Sequence, residues 1–175
     1  PLVLQMPSSS PGRYARHDFA KNIYALQAVD ANGQALTVVR TGPSSWSVTP
    51  NSTGAVTVSY QLFANYADGT YSQVDRRHAH LNMPATLLYA PALASQPITL
   101  EFKQLPADWS VATQLSASNQ PDQSVLYHAD NLQLLMDSPI EAAPLQYASF
   151  TQTSNGVPYQ IRVALHHQGS ADDLN

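Results

Sequence analysis

The stretch AVTVSYQLFANY, residues 55–66, predicts a half-buried β-strand in its purest form in this chain. One side carries Val56, Val58, Tyr60 and Leu62, and the other carries Thr57, Ser59 and Gln61. An alternation of period two places every second side chain on the same face of a strand, so this pattern favours one face against a core and one in water.

Similar strand signals extend outward in both directions. Residues 22–29 and 35–40 flank Asn32-Gly33, a dipeptide that accepts the positive φ angles of a tight turn, and together they predict a hairpin. In residues 45–49, Trp46 and Val48 alternate onto one face. Further strand candidates are TYSQVD, TLLYA, PITLEFK, LQYASFT and PYQIRVALHH, separated by proline and glycine. The sequence therefore predicts one all-β domain over residues 1–175, an antiparallel β-sandwich.

The stretch YHADNLQLLMDSPIE, residues 127–141, is the exception and predicts one short helix near residues 130–136. Leu132, Leu135 and Met136 recur at helical spacing, and Asp130 is a candidate cap. Pro139 ends the helix, so Asp137 and Glu141 flank a stiff extended corner and are candidate site carboxylates. The structural alternative is that Asp137 caps local amides and Glu141 is a solvated surface acid.

Composition limits the classes of function. The 175 residues include no cysteine, which excludes disulfides and thiolate chemistry, and the formal net charge is −4. The sequence has no run of lysines or arginines that would predict binding to nucleic acid or to an anionic membrane. It also has no apolar run that reaches the ~20 residues of a membrane helix. The low charged content of 11% favours a periplasmic or secreted bacterial protein.

No reactive motif is present: HExxH, GxSxG and the phosphate-binding GxxxxGK[ST] are all missing from the sequence. His78-Ala79-His80 has the i, i+2 spacing of a strand chelate, with His166-His167 as a distant supplement. Because no third ligand is indicated and Arg76-Arg77 would repel a cation, we predict neither a metal site nor a catalytic residue in this chain.

Three further residues are interpreted as structural or interface residues. Trp109 follows Pro106 and is expected to close one end of the core. Arg16 and Asp18 lie two residues apart in a strand-like segment, where an arginine and an acid commonly pair.

Five segments resemble a known family when they are taken together and in order. They are PGRYARHDF (residues 11–19), SWSV around Trp46, AHLN ending at Asn82, DWSVATQL (residues 108–115) and LLMDSPIE (residues 134–141). This combination resembles the N-terminal domain of the glycyl aminopeptidase family, PDZ-containing zinc metallopeptidases of metallopeptidase family sixty-one. The resemblance runs from about Pro7 to the end of the chain.

The resemblance implies a β-sandwich placed ahead of a thermolysin-like catalytic domain that carries HExxH and a glutamate zinc ligand. On this reading the chain is a fragment that begins inside the family's domain, contains no catalytic domain and no cofactor, and is inactive alone. The parent would be a zinc aminopeptidase that releases small N-terminal residues such as glycine. The expected partners are the catalytic domain of the same polypeptide and the N-terminus of a peptide substrate, with Glu141 anchoring the substrate amine and Asp137 orienting the corner.

Two alternatives stay open at this point. Low charge and the nine tyrosines also suit a non-enzymatic carbohydrate- or protein-binding β-sandwich. A stand-alone metalloprotein using His78 and His80 would instead contain stoichiometric zinc.

Overall fold

The structure is a computed structural model that describes residues 1–13, 15–122, 124–167 and 169. These residues form fourteen β-strands. The strands are β1 (Leu2–Gln5), β2 (Ile23–Val29), β3 (Thr37–Gly42), β4 (Ser45–Thr49), β5 (Thr57–Leu62), β6 (Gln73–Val74), β7 (Ala79–Leu81), β8 (Ile98–Glu101), β9 (Ser110–Ala112), β10 (Ser116–Asn119), β11 (Val125–Ala129), β12 (Ile140–Ala143), β13 (Gln146–Ser154) and β14 (Val157–Leu165).

The helices are few and short. They are α1 (Met83–Thr86), α2 (Leu132–Met136) and two 3₁₀ turns at Phe19–Asn22 and Pro91–Leu93. No helix among the described residues is long and apolar enough to cross a membrane.

Every strand ladder in the described residues is antiparallel, which confirms the predicted all-β class. The sheets have the strand orders β1-β4-β3, β10-β11-β8, β6-β7-β12-β9, β13-β14 and β2-β5. In β5 the exposed and half-buried residues alternate along the whole strand, as its sequence pattern predicts.

The prediction of a hairpin between residues 22 and 40 is only partly right. The turn exists, because Gly33 N–H donates to Asp30 O (3.0 Å) and Gly33 has a φ of +80°. Next to the turn the two segments pair, through the bridge Val29↔Ala35 and the Leu36 N–H to Ala28 O bond (2.8 Å). Beyond it they join other partners: β2 pairs with β5 and β3 pairs with β4. A register shift between Tyr24 and Gln27 marks a β-bulge in β2, and such bulges bend a strand away from its neighbours.

The predicted helix is present as α2, but its cap is Asn131 and not Asp130. The Asn131 Oδ1 accepts from Leu134 N–H (2.9 Å), and the residue itself is extended. Asp130 and Asn131 are adjacent and both residue types form helix caps, so the sequence alone does not show which of them caps α2. The prediction of a single helix was also incomplete, since α1 begins with Pro84 in its first turn, where the missing amide is not needed.

Two hydrophobic clusters form the interior. The first contains Phe19, Trp46 and Val48, and the second contains Met83, Leu135 and Ile140. Trp109 belongs to neither cluster and is half-buried in the turn before β9, so it does not close the core as expected.

The hairpin β13–β14 differs from the rest of the fold, which we call the body (residues 2–143). Asn155 and Gly156 have φ angles of +49° and +77°, and this two-residue turn fixes the register from Ser154↔Val157 to Gln146↔Leu165. One face presents Phe150, Val157, Tyr159 and Ile161, whose exposed fractions are 52%, 50%, 53% and 36%. This apolar face is open to solvent in the chain.

Candidate functional site

The candidate site lies on the sheet β6-β7-β12-β9. Antiparallel pairing places Gln73 opposite His80, His80 opposite Glu141, and Glu141 opposite Ala112. Residues directly opposite each other project from the same face, so these side chains form one row across four strands. The corner at Pro139 leads straight into β12, which is how the chain fixes Glu141 in this row.

Glu141 is held by His80. The His80 Nδ1 lies 3.1 Å from Glu141 Oε2, and because a carboxylate only accepts, the ring nitrogen donates. The two side chains are 32% and 27% exposed, so the carboxylate is partly desolvated yet reachable. Its second oxygen, Oε1, lies 3.9 Å from His166 Nδ1, beyond hydrogen-bond distance.

Two more histidines complete the cluster. The His78 ring stacks on that of His166, with centroids 4.8 Å apart and an angle of 28° between the rings. The His78 Nδ1 lies 3.3 Å from Asp75 Oδ1, but it is buried and has no hydrogen-bond partner among the described residues. Asp75 accepts instead from the backbone N–H groups of Arg77 and His78, which lower the pKa of its carboxyl below its usual value.

These groups line a cavity of about 590 Å³. Its lining is Tyr66, Ala67, Asp68, Gly69, Gln73, His78, His80, Glu141, Ala164, Leu165 and His166. The backbone N–H groups of Tyr71 and Thr70 donate to Asp68 Oδ1 (2.8 Å each) and hold the pKa of that carboxyl below its usual value, with a smaller effect of Arg13. The described lining therefore offers two acids and no lysine or arginine, which suits a cation.

Asp137, the other predicted site residue, lies apart from this cavity. It ends α2, and its Oδ2 accepts from Gln133 Nε2 (2.8 Å). Its exposed side chain lines a second, smaller cavity of about 240 Å³ together with Pro139 and His80. The corner itself is clamped from outside, because Gln114 Nε2 donates to Asp137 O and to Ser138 Oγ (2.9 Å each).

Arg16 and Asp18 both lie exposed in the segment before the first 3₁₀ turn. Within the described part of the chain no ion pair joins them. Their role at an interface stays a prediction, as does that of Trp109. The exposed Arg76 and Arg77 do not line the cavity, so the repulsion expected from them does not act inside it.

Each member of the cluster was a candidate residue in the sequence, but the contact between them was not predicted. His78, His80, Glu141 and His166 were all singled out, yet residues 80 and 141 meet only because β7 pairs with β12, and His166 arrives only at the end of β14. Periodicity carries no information on such long-range pairing.

Comparison with known families places the chain. The family model described as Peptidase M61 N-terminal domain matches residues 1–144. The chain belongs to this family. The match ends after β12, so it spans the body and stops before the hairpin β13–β14.

A solved structure resembles the chain over almost its whole length. It is the crystal structure of an aminopeptidase N family protein from Idiomarina loihiensis, with 26% identity and a TM-score of 0.83. The similarity covers 99% of this chain and 29% of that chain, so this chain spans less than a third of its neighbour. No curated protein sequence matches it. The resemblance to the N-terminal domain of metallopeptidase family sixty-one, stated from the sequence motifs, is thus confirmed.

Three of the five segments that carry the resemblance have clear structural roles in this Peptidase M61 N-terminal domain. Asn82, which ends AHLN, is buried and donates through Nδ2 to Ser10 Oγ (3.1 Å) and to Thr70 O. Gln114 of DWSVATQL clamps the corner of DSPIE. The motifs therefore support the strands around Glu141.

Proposed function

We propose that this domain serves a zinc aminopeptidase that releases small N-terminal residues such as glycine, and that Glu141 anchors the α-ammonium group of the peptide substrate. The single observation that carries the anchor role is the half-buried Glu141 carboxylate, which His80 fixes through one oxygen while the other faces a cavity. The domain performs no catalysis of its own.

The chemistry of the site supports an amine. An ammonium group is a compact cation with three donors, and a partly desolvated carboxylate accepts from it through short, charge-assisted hydrogen bonds. Glu141 Oε1 is the free acceptor, and Asp68 adds negative charge along the same cavity. An aminopeptidase needs such an anchor because its specificity depends on holding the free N-terminus at a fixed distance from the scissile bond.

The reaction itself belongs to a part of the polypeptide outside this sequence. The chain has no HExxH, so we assign the peptidase zinc to the catalytic domain that the family resemblance implies. That zinc would polarise the scissile carbonyl and activate water. The contribution of this chain is to bind and orient the substrate terminus.

The test is Glu141→Gln in the intact peptidase. The amide is isosteric but neutral, so kcat/KM for peptides with a free N-terminus should fall by about 30-fold or more, as when one partner of a buried charge pair is lost. Glu101→Gln is the matched control, because Glu101 is the only other glutamate and pairs with Lys103 (3.1 Å) on β8, away from the cavity. Equal kinetics for wild type and Glu141→Gln would refute the anchor.

We also propose that the catalytic domain of the same polypeptide packs on the apolar face of β13–β14. This hairpin lies beyond the matched N-terminal domain, and the 99% coverage by the longer neighbour includes it. An isolated two-stranded hairpin is marginal in water, so a covering partner explains why Phe150 and Ile161 point outward.

This packing has its own test. Phe150→Asp should lower the melting temperature of the intact peptidase strongly and that of the 175-residue chain little, because only the intact protein covers the face. Thr151→Asp, on the opposite face of β13, is the control and should be mild in both. If Phe150→Asp were as mild as Thr151→Asp in the intact protein, the packing would be wrong.

A further inference from the structure

A metal site on His78 and His80 was not predicted because the sequence indicates no third ligand, but the fold brings a different set of three candidate ligands together around Glu141. His78, Glu141 and His166 each offer a ligand atom, and these atoms lie within 4.8 Å of one another. We infer that His78, Glu141 and His166 form a site for a divalent first-row transition-metal ion.

The donor set fits such an ion. Two imidazoles and one carboxylate are ligands that zinc accepts in three-ligand sites, with a fourth position open. Tetrahedral coordination at bond lengths of ~2.1 Å places ligand atoms ~3.4 Å apart, so ligand atoms that are now within 4.8 Å of one another must approach by up to ~1.4 Å. The three side chains are 17%, 27% and 26% exposed and protrude into a cavity, which leaves them room to rotate.

The surroundings supply the second layer that metal ligands require. A metal-binding histidine commonly gives its other ring N–H to a carboxylate. His78 has this geometry in outline: its buried Nδ1, without a hydrogen bond, faces Asp75 Oδ1 at 3.3 Å, which leaves Nε2 for the ion. Likewise His80 holds Glu141 through Oε2, which leaves Oε1 beside His166 for the ion.

The charge of the cavity favours a cation as well. Asp68 lines the same cavity, and its carboxyl has a lowered pKa because Tyr71 and Thr70 N–H groups donate to it. No arginine or lysine occurs in the described lining.

Metal binding and amine binding exclude each other, because both need Glu141 Oε1. Excess Zn²⁺ should therefore compete with peptide in the intact enzyme, a consequence that rests on the proposed amine anchor. Binding of the ion to the chain does not rest on it.

The experiment titrates Zn²⁺ into the purified 175-residue chain against a chromophoric chelator, with the Co²⁺ visible spectrum as a second readout of coordination. We expect about one ion per chain and intense Co²⁺ bands typical of four or five ligands. His166→Ala and His78→Ala should abolish stoichiometric binding, and His80→Ala should weaken it by about 10- to 100-fold, as for the loss of an outer-shell partner.

His167→Ala is the matched control, because His167 directly follows His166 in the sequence but does not line the cavity. Its Nε2 lies 3.2 Å from Gln146 Oε1 instead. It should bind Zn²⁺ like the wild type. If the histidine variants fail to fold, Glu141→Gln provides the loss-of-ligand test.

Absence of stoichiometric binding, retention in His166→Ala, or equal loss in His167→Ala would overturn the inference. The titration tests only the metal site, whereas the kinetics of Glu141→Gln, measured without added Zn²⁺, test only the amine anchor. Failure of one proposal is therefore distinguishable from failure of the other.

Discussion

The body and the hairpin β13–β14 follow the same strand rules but stabilise their strands differently. The body buries its apolar residues in two clusters, with Phe19, Val48 and Ile140 almost inaccessible. The hairpin has a regular ladder of nine residue pairs, yet its apolar face is open. Regular hydrogen bonding therefore does not indicate where the stability of this chain lies, whereas burial does.

The candidate site lies where these two regions meet. Glu141, His80 and His78 come from the body, and His166 comes from the end of the hairpin. The base of the hairpin is tied to the body, since Ser110 Oγ lies 3.0 Å from Tyr147 Oη. The body thus fixes the carboxylate, while the hairpin brings a histidine and an exposed apolar face.

The largest expected effect compares two isoleucines. Ile140 is 1% exposed in the body, and Ile161 is 36% exposed on the hairpin. In the 175-residue chain, Ile140→Ala should lower the free energy of unfolding by about 2–5 kcal/mol because it leaves a cavity, and Ile161→Ala by less than about 0.5 kcal/mol. Urea denaturation measures both, and similar losses would show that burial does not set the contribution of these two isoleucines to stability.

The second-largest expected effect on the free energy of unfolding compares two tyrosines. Tyr60 Oη donates to Thr86 O (2.8 Å) and accepts from Leu88 N–H (3.2 Å), whereas Tyr159 is 53% exposed. Tyr60→Phe should cost about 1–3 kcal/mol of unfolding free energy, since two half-buried backbone groups lose their partner. Tyr159→Phe is the control and should be neutral by thermal denaturation. A neutral Tyr60→Phe would show that water replaces the hydroxyl.

The third comparison is between the side-chain hydrogen bonds of two glutamines, one beside the candidate site and one on the hairpin. Gln114 clamps Asp137 O and Ser138 Oγ in the body, and Gln160 donates to Thr151 Oγ1 (2.7 Å) across the exposed hairpin. We expect Gln114→Ala to cost about 1 kcal/mol and Gln160→Ala only a few tenths, measured by chemical denaturation. If Gln160→Ala lowered the free energy of unfolding more than Gln114→Ala, the hydrogen bond across the hairpin would contribute more to stability than those at the corner.

The smallest effect is a pH dependence, and it belongs to the body because residues 146–165 contain no acid. The folded pKa of Asp68 is lowered by the Tyr71 and Thr70 N–H groups. Its contribution is therefore present above the unfolded value of ~3.9 and is lost as pH falls through the folded pKa. Asp68→Asn should be slightly less stable than wild type at pH 7, and thermal denaturation should show that this difference shrinks toward pH 3. A constant difference would argue against the hydrogen bonds to the charged form.

The sequence allowed prediction of the elements that depend on local chemistry. Alternation revealed β4 and β5, and leucine spacing with Pro139 revealed α2 and the corner before Glu141. Two turns show the limit. Asn32-Gly33 signalled a hairpin whose strands in fact join different sheets, while Asn155-Gly156 closes the longest ladder in the described chain.

The candidate site could be predicted only in pieces. Glu141 was selected from a rigid corner and His78 and His80 from their spacing, both of which are local signals. Their contact depends on the pairing of β7 with β12 across 61 residues, and His166 depends on the hairpin folding back. Long-range register is set by burial across the whole domain and leaves no local trace in the sequence.

A crystal structure of the intact peptidase with a bound peptide analogue that carries a free amine would show directly whether Glu141 anchors the substrate amine. We expect the α-ammonium nitrogen to lie ~2.7–3.0 Å from Glu141 Oε1, the range of charge-assisted hydrogen bonds. An amine held by other carboxylates, with Glu141 more than about 4 Å away and still bonded only to His80, would contradict it.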